Sequence, residues 1–255
     1  MEYIFLYTIV FISGIIIGSF LNVCIYRIPK NEDIISDRSH CLGCGNVLKW
    51  YELLPILSFV LQKGHCRSCN ATLSLQYPLV ECLNGLVYVL VFFRYGLTIT
   101  SFLYCLCIST LIVIAVIDWS TFEIPVGCNI FIGILAFVNL ITDLDNWLNY
   151  LIGFITVSGF FLIIYLVTNG RGIGGGDIKL MAAAGLLLGW QNIILAMVIG
   201  AAVGSVIHLI LMKLKGKGHV LAFGPYLSFG IFVSIIYGSE IINWYLKHYI
   251  SVPLY

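Results

Sequence analysis

Apolar runs close to twenty residues long recur along the 255-residue chain, and no other feature restricts its fold so strongly. A helix of that length matches the roughly 30 Å hydrocarbon core of a bilayer. Within lipid, every backbone N–H and C=O has to be satisfied inside the segment, so the runs are predicted as helices. The expected fold class is an all-α polytopic membrane protein. The predicted spans are 3–26, 78–94, 98–117, 127–143, 147–168, 178–190, 192–213 and 224–246, eight transmembrane helices in all. The sixth is short and bounded by Gly189-Trp190, and is expected to tilt or to thin the bilayer. Only 10% of residues are charged, against about 25% in soluble domains. No basic patch is interleaved with aromatic residues, which sets nucleic acid aside as a partner.

The first run has no basic residue ahead of it. Arg27 and Lys30 follow it, and no small-x-small site precedes Arg27, so it reads as an uncleaved helix and not as a signal peptide. Orientation follows from Lys and Arg. Segments 27–77, 118–126, 169–179 and 213–221 carry eleven of the thirteen, Arg94 and Lys247 being the exceptions. This bias predicts both termini outside and segment 27–77 in the cytoplasm. Asp118 and Asp177 then share the cytoplasmic side at similar depth, with Asn22, Glu81, Asn84 and His208 near the same level. Such groups either reach the interface from helix ends or face a cavity or partner. The pairs Gly14/Gly18, Gly185/Gly189 and Gly200/Gly204 suit close helix packing.

Segment 27–77 is the one long extramembrane stretch. Cys41, Cys44, Cys66 and Cys69 form a C-x2-C-x21-C-x2-C pattern. Each pair turns two thiolates toward one point, and two pairs close a tetrahedral zinc site. Two disulfides are the competing reading, and a cytoplasmic location argues against them. His40 and His65 flank the pairs and offer substitute ligands, although four thiolates already suffice. With every position filled, the metal is expected to be structural, stapling a segment poor in core residues. Cys24, Cys82, Cys105, Cys107 and Cys128 lie in or beside spans and read as small buried hydrophobes.

Asp118 closes the third span in IDWSTFEIP, and Asp177 closes the glycine loop GRGIGGGDIKL. Two carboxylates brought within a few ångströms cannot both ionise easily, so one keeps its proton beside an ionised partner. Such a pair can activate water and protonate a leaving amine without a metal. The chemistry needs water at membrane depth, and irregular backbone is tolerated there only around a cavity. The glycines would let the backbone approach substrate closely. Gly170, Gly172 and Gly175 also match G-x-G-x-x-G, but no βαβ context and no acidic residue about 20 positions on support dinucleotide binding.

These residues resemble the type IV prepilin leader peptidases, members of the wider GxGD aspartyl proteases. GSFLNVCIYRIP at 18–29 is similar to the family's first-helix signature, and the cysteine pairs to its zinc knuckles. Trp50, Glu52, Pro55 and Ser58 match W-x-E-x-x-P-x-x-S, and YPLVE at 77–81 opens the second span. Asp118 with Ile124-Pro125, GGGDIKL at 174–180 and FGPYL at 223–227 complete the series. One departure is Val126, where the family often has aspartate, so no polar role attaches there.

The resemblance implies Asp118 and Asp177 as catalytic residues, with Gly174, Gly176 and Lys179 supporting the loop. It implies cleavage of short basic leaders from prepilins or pseudopilins at the cytoplasmic face of a bacterial inner membrane. N-methylation of the new N-terminus, with S-adenosylmethionine as cofactor, would map to the zinc insert and its flanks. The implied division is a first helix (1–26), the insert (27–77) and a peptidase core (78–255). Two other classes compete. One is a transporter using the aspartates as proton or cation sites, although no inverted repeat is evident. The other is an assembly factor that docks a cytoplasmic partner through the insert.

Overall fold

The computed structural model describes residues 2–215 and 221–250. Helices dominate, and the only strand-like features among the described residues are two isolated bridges in the insert. The chain divides into two compact units, Met1–Cys105 and Leu106–Tyr255.

In the first unit, α1 (Glu2–Arg27) packs along α3 (Gln76–Tyr95), with the insert and its short α2 (Leu57–Leu61) between them in sequence. Small residues set the approach of the two long helices. A Cβ on Gly14 would stand 2.8 Å from the Gly85 Cα, and one on Gly18 would stand 2.7 Å from the Glu81 Cα. Close approach lets the Asn84 amide donate to the Gly14 carbonyl at 2.7 Å, which satisfies a fully buried polar side chain. Asn22, Glu81 and Asn84 are all buried, so of the two readings open for them the structure takes the inward-facing one.

The second unit begins within α4 (Ile99–Thr121) and adds α5 (Val126–Thr142), α6 (Trp147–Val167), α7 (Gly175–Leu188), α8 (Trp190–Lys215) and α9 (Gly224–Tyr245). Helix α7 lies against α5 and α6, while α8 lies against α9 and α6. Leu180, Met181, Ala184 and Leu187 of α7 are fully buried. The expected small-residue contacts form: Gly185 meets the Gly153 backbone, Gly189 meets Asn149, and Gly200 meets the Tyr226 carbonyl.

Among the described residues, six helices are long and apolar enough to cross a membrane: α1, α3, α4, α6, α8 and α9. The 17-residue α5 and the 14-residue α7 measure about 25 Å and 21 Å at 1.5 Å per residue, short of the hydrocarbon core. Two boundaries differ from the sequence reading. Helix α4 runs on to Thr121, so Asp118 lies within its last turn and not at its end. Helix α7 starts at Gly175, three residues before the predicted span, so Asp177 is helical. The weak helix propensity of glycine is overridden there by capping and packing.

A β-branched residue at position 185 has no room, because the Gly153 carbonyl occupies the site of its Cβ. Gly185→Val is expected to lose about 1–3 kcal/mol of stability, read as a lower unfolding temperature in detergent. Gly133→Ala is the control, since nothing lies within 4 Å of a Cβ added there. It is expected to stay within about 0.5 kcal/mol of wild type.

Candidate active site and metal centre

Asp118 and Asp177 are both buried, with exposures of 4% and 8%. Different local devices present them. Asp118 precedes a sharp exit from α4, where Phe122 takes a φ of 58° and its N–H bonds the Asp118 carbonyl at 2.9 Å. Pro125 then starts α5 with its fixed φ of −60°. Asp177 is the third residue of α7, and its Oδ2 accepts the N–H of the N-cap residue Gly174 at 3.3 Å. That is half of a capping box, which the sequence pattern did not reveal. Asp118 is near enough for its charge to act on Asp177.

Glycines close the site. A Cβ on Gly176 would fall 2.9 Å from the Ile124 Cβ, so this glycine lets the Ile124-Pro125 turn rest on the first turn of α7. Asn129 of α5 reaches the Gly176 carbonyl at 3.4 Å. The Gly224 N–H donates to the Asp118 Oδ2 at 2.8 Å, across 106 positions of sequence. Gly224 belongs to the FGPYL stretch, but nothing in the sequence gave it this role. Lys179 is exposed, two residues past buried Asp177 on α7, and is not drawn into the carboxylate pair. Gly174 and Gly176 do stand beside Asp177.

Replacing Gly224 tests this geometry directly. An added Cβ would lie 2.7 Å from the Asp118 Oδ2. Gly224→Ala is therefore expected to push the carboxylate off its N–H and lower any catalysis that depends on Asp118 about 10²-fold, since a displacement of 1 Å costs that much in a positioned site. The measurement is a rate comparison with membranes of matched protein content.

The insert is built from two copies of one turn. In each, the cysteine N–H bonds a carbonyl five residues on: Cys41 to Asn46 at 2.9 Å and Cys66 to Ala71 at 2.8 Å. The N–H four residues on returns to the cysteine carbonyl, from Gly45 at 2.8 Å and Asn70 at 2.9 Å. Gly45 and Asn70 both hold positive φ, 70° and 59°, which their residue types tolerate. The Sγ atoms of Cys41, Cys44, Cys66 and Cys69 all lie within 4.8 Å of one another. Those of Cys41 and Cys69 are 3.8 Å apart, the edge expected of a tetrahedron with metal–sulfur bonds of about 2.3 Å. The donor set therefore fits a closed metal site. The nine cysteines are all free of disulfides. Backbone N–H groups of Gly43 and Cys44 draw the Cys41 thiol down to about 7, while at Cys69 the pull of the Ala71 N–H is outweighed by the other thiols of the cluster, which push it up to about 11, as expected of four sulfurs crowded together. His40 and His65 stand outside the cluster, each with Nδ1 turned to the carbonyl two residues back.

Buried groups from the flanking helices hold the insert in place. Arg27, 4% exposed, spans the carbonyls of Asp33, Asp37 and Arg38 at 2.7, 2.9 and 3.3 Å. Glu81 accepts the Ile56 N–H at 2.7 Å, and Ile56 sits at a φ of 59°, unfavourable for a β-branched residue. The Ser19 hydroxyl also bonds Glu81.

Residues 12–95 match the family model described as the bacterial peptidase A24 N-terminal domain, and residues 105–209 match that of the type IV leader peptidase family. Three relatives carry the name prepilin leader peptidase/N-methyltransferase. The one from Bacillus subtilis is 37% identical over 94% of this chain and 98% of its own length. That of Aeromonas hydrophila is 30% identical, covering 96% of this chain and 95% of the relative. The Pseudomonas aeruginosa protein is 28% identical over 92% and 91%. No solved structure matches the chain. With both halves of its sequence matched and a relative 37% identical from end to end, the chain belongs to the type IV leader peptidase family.

Proposed function

We propose that this multi-pass membrane protein removes the leader of prepilins or pseudopilins with Asp118 and Asp177, and then N-methylates the exposed N-terminus. The observation that carries the peptidase reading is the buried carboxylate pair, each member held through one oxygen by a backbone N–H. The remaining oxygens exchange protons. One carboxylate takes a proton from the water that attacks the scissile carbonyl. The other, protonated, gives its proton to the departing amine, and the pair is reset when they exchange roles. Both carboxylates are buried, and the non-helical stretches 122–125 and 168–174 next to them would give the attacking water its access.

The membrane reading extends to eight crossings, with α5 and α7 as short spans that locally thin the bilayer. The bias in Lys and Arg supports outer termini and a cytoplasmic insert and active site in a bacterial inner membrane. Zinc on Cys41, Cys44, Cys66 and Cys69 would supply the folding energy of the insert. We assign the peptidase core to 78–255 and methyl transfer to 27–77 with its flanks, α1 included, using S-adenosylmethionine. The relatives are named as peptidases and not as carriers, so the transporter reading has no support.

Co-expression with a tagged type IV prepilin tests the reading. The expected result is a leader-dependent loss of mass and a mature N-terminus carrying one added methyl group. An unprocessed prepilin, with native pseudopilins also left intact, would sink it.

A further inference from the structure

The first unit contains an open cavity of about 320 Å³ between α1, the two cysteine turns and the start of α3. Small-molecule sites start at about this size. Its polar groups are unusual for a space at a helix packing face. Asn22 is 4% exposed, and its Oδ1 has no hydrogen-bond partner. The orientation of this amide is fixed, because Nδ2 donates to the carbonyls of Gly18 at 3.3 Å and Tyr77 at 3.1 Å. An acceptor left unpaired in such a place costs free energy unless a ligand donates to it.

Glu81, one helix turn beyond Tyr77, lines the same cavity with a carboxylate 6% exposed. The Ile56 N–H and the Ser19 hydroxyl use two of its roughly four acceptor positions. Arg27 also lines the cavity. Its three hydrogen bonds all end on neutral carbonyls, and although its charge is felt by the Asp33 carboxylate, no carboxylate is hydrogen-bonded to it among the described residues, which leaves it able to attract an anion. The phenol rings of Tyr77 and of Tyr26, one face of which carries the Lys30 ammonium 3.5 Å from its centroid, also line the cavity. A carboxylate and a vacant acceptor call for a donor-bearing cation, a guanidinium calls for a carboxylate, and phenol rings call for a flat or apolar body. One ligand that joins all three is an amino-acid sulfonium attached to a nucleoside.

We propose that this cavity binds S-adenosylmethionine, with Glu81 and Asn22 Oδ1 taking its cationic end and Arg27 its carboxylate. The inference rests on the methyl-transfer part of the proposed function. When bound, this cofactor supplies a methyl group on positively charged sulfur. The cavity's own residues bind and orient it, and the cysteine turns roof the space. The metal site then has a second consequence, because the same backbone that carries Cys41 and Cys66 lines the cavity.

Binding is measured with tritiated S-adenosylmethionine on the purified full chain in nanodiscs. The wild type is expected to bind one equivalent, displaced by S-adenosylhomocysteine. Glu81→Gln keeps an acceptor for the Ile56 N–H while removing the charge, and is expected to weaken binding about tenfold or more. Asn22→Ala is expected to weaken it as well, and zinc content is checked in both variants. A readout that needs no variant is hydrogen exchange in the wild type, where the cofactor should protect residues 19–27 and 77–81. Binding by both variants within twofold of wild type, or protection confined to other segments, overturns the proposal. Absence of binding by the wild type also overturns it. The mass of the cleaved pilin then settles the wider reading separately: an added methyl group means that transfer stands with its cofactor held elsewhere, and no methyl group means that the methyl-transfer reading falls too.

Discussion

Asp118→Asn and Asp177→Asn will each leave a co-expressed prepilin uncut, with a loss in cleavage rate of about 10³-fold or more. Acid–base catalysis by one positioned group is worth about 10² to 10⁴, and here neither half of the proton exchange works alone. The substitution is nearly isosteric, and an amide oxygen can still accept the Gly224 or Gly174 N–H that holds the native carboxylate. Folding should therefore survive, which separates lost chemistry from lost structure. The check is a time course of leader removal, with expression and unfolding temperature measured in the same membranes. Leader removal at more than a tenth of the wild-type rate by either variant would refute a two-carboxylate mechanism. Gly224→Ala, which disturbs only the placement of Asp118, should fall between wild type and these two.

Metal removal is the second large effect. Between residues 28 and 75 the only buried side chains are those of Cys41 and Cys66. Large apolar residues of the insert, Ile35, Trp50, Leu57 and Leu61 among them, are exposed. A segment without a core cannot repay its conformational entropy by burial, and on the proposed zinc assignment the metal adds the main part of what the Arg27 and Glu81 anchors leave unmet. Structural zinc binds such peptides with about 10–16 kcal/mol, more than the insert can replace from its own contacts. Chelation, or Cys41→Ser with Cys66→Ser, should release zinc and expose 28–75 to a soluble protease. Methyl transfer should vanish while leader cleavage is reduced far less. Equal protease resistance with and without chelator would show that the insert is ordered by something else.

Much of this was readable from residue types in order. Hydrophobic runs located the helices to within a few residues, because an apolar segment in lipid has to satisfy its backbone within itself. Cysteine spacing located the four-sulfur cluster, because two knuckles carry their own local geometry. Partners distant in sequence were not readable. The Gly224 N–H reaches Asp118 from 106 residues away. Glu81 reads as a helix-end acid until Ile56 is seen to donate to it. Gly175 and Gly176 read as loop by propensity, yet they begin α7, because the Gly174 cap and the contact with Ile124 decide the matter. Apart from the local Gly174 cap, a contact distant in sequence decides each case, and a single sequence does not reveal such contacts.

Two asparagines of α5 grip α7 near opposite ends. Asn129 donates to the Gly176 carbonyl at 3.4 Å and Asn139 to the Leu187 carbonyl at 3.3 Å, so the two helices run parallel in a fixed register. Sliding α7 by one turn, about 5.4 Å, would break both bonds together and force Gly185 off the Gly153 backbone. Helix α7 is thus a strut and not a piston. The level of Asp177 is thereby tied to the packing of α5 and α6, so a substitution at Asn139, far along the helix, should disturb the carboxylate's placement as well as stability.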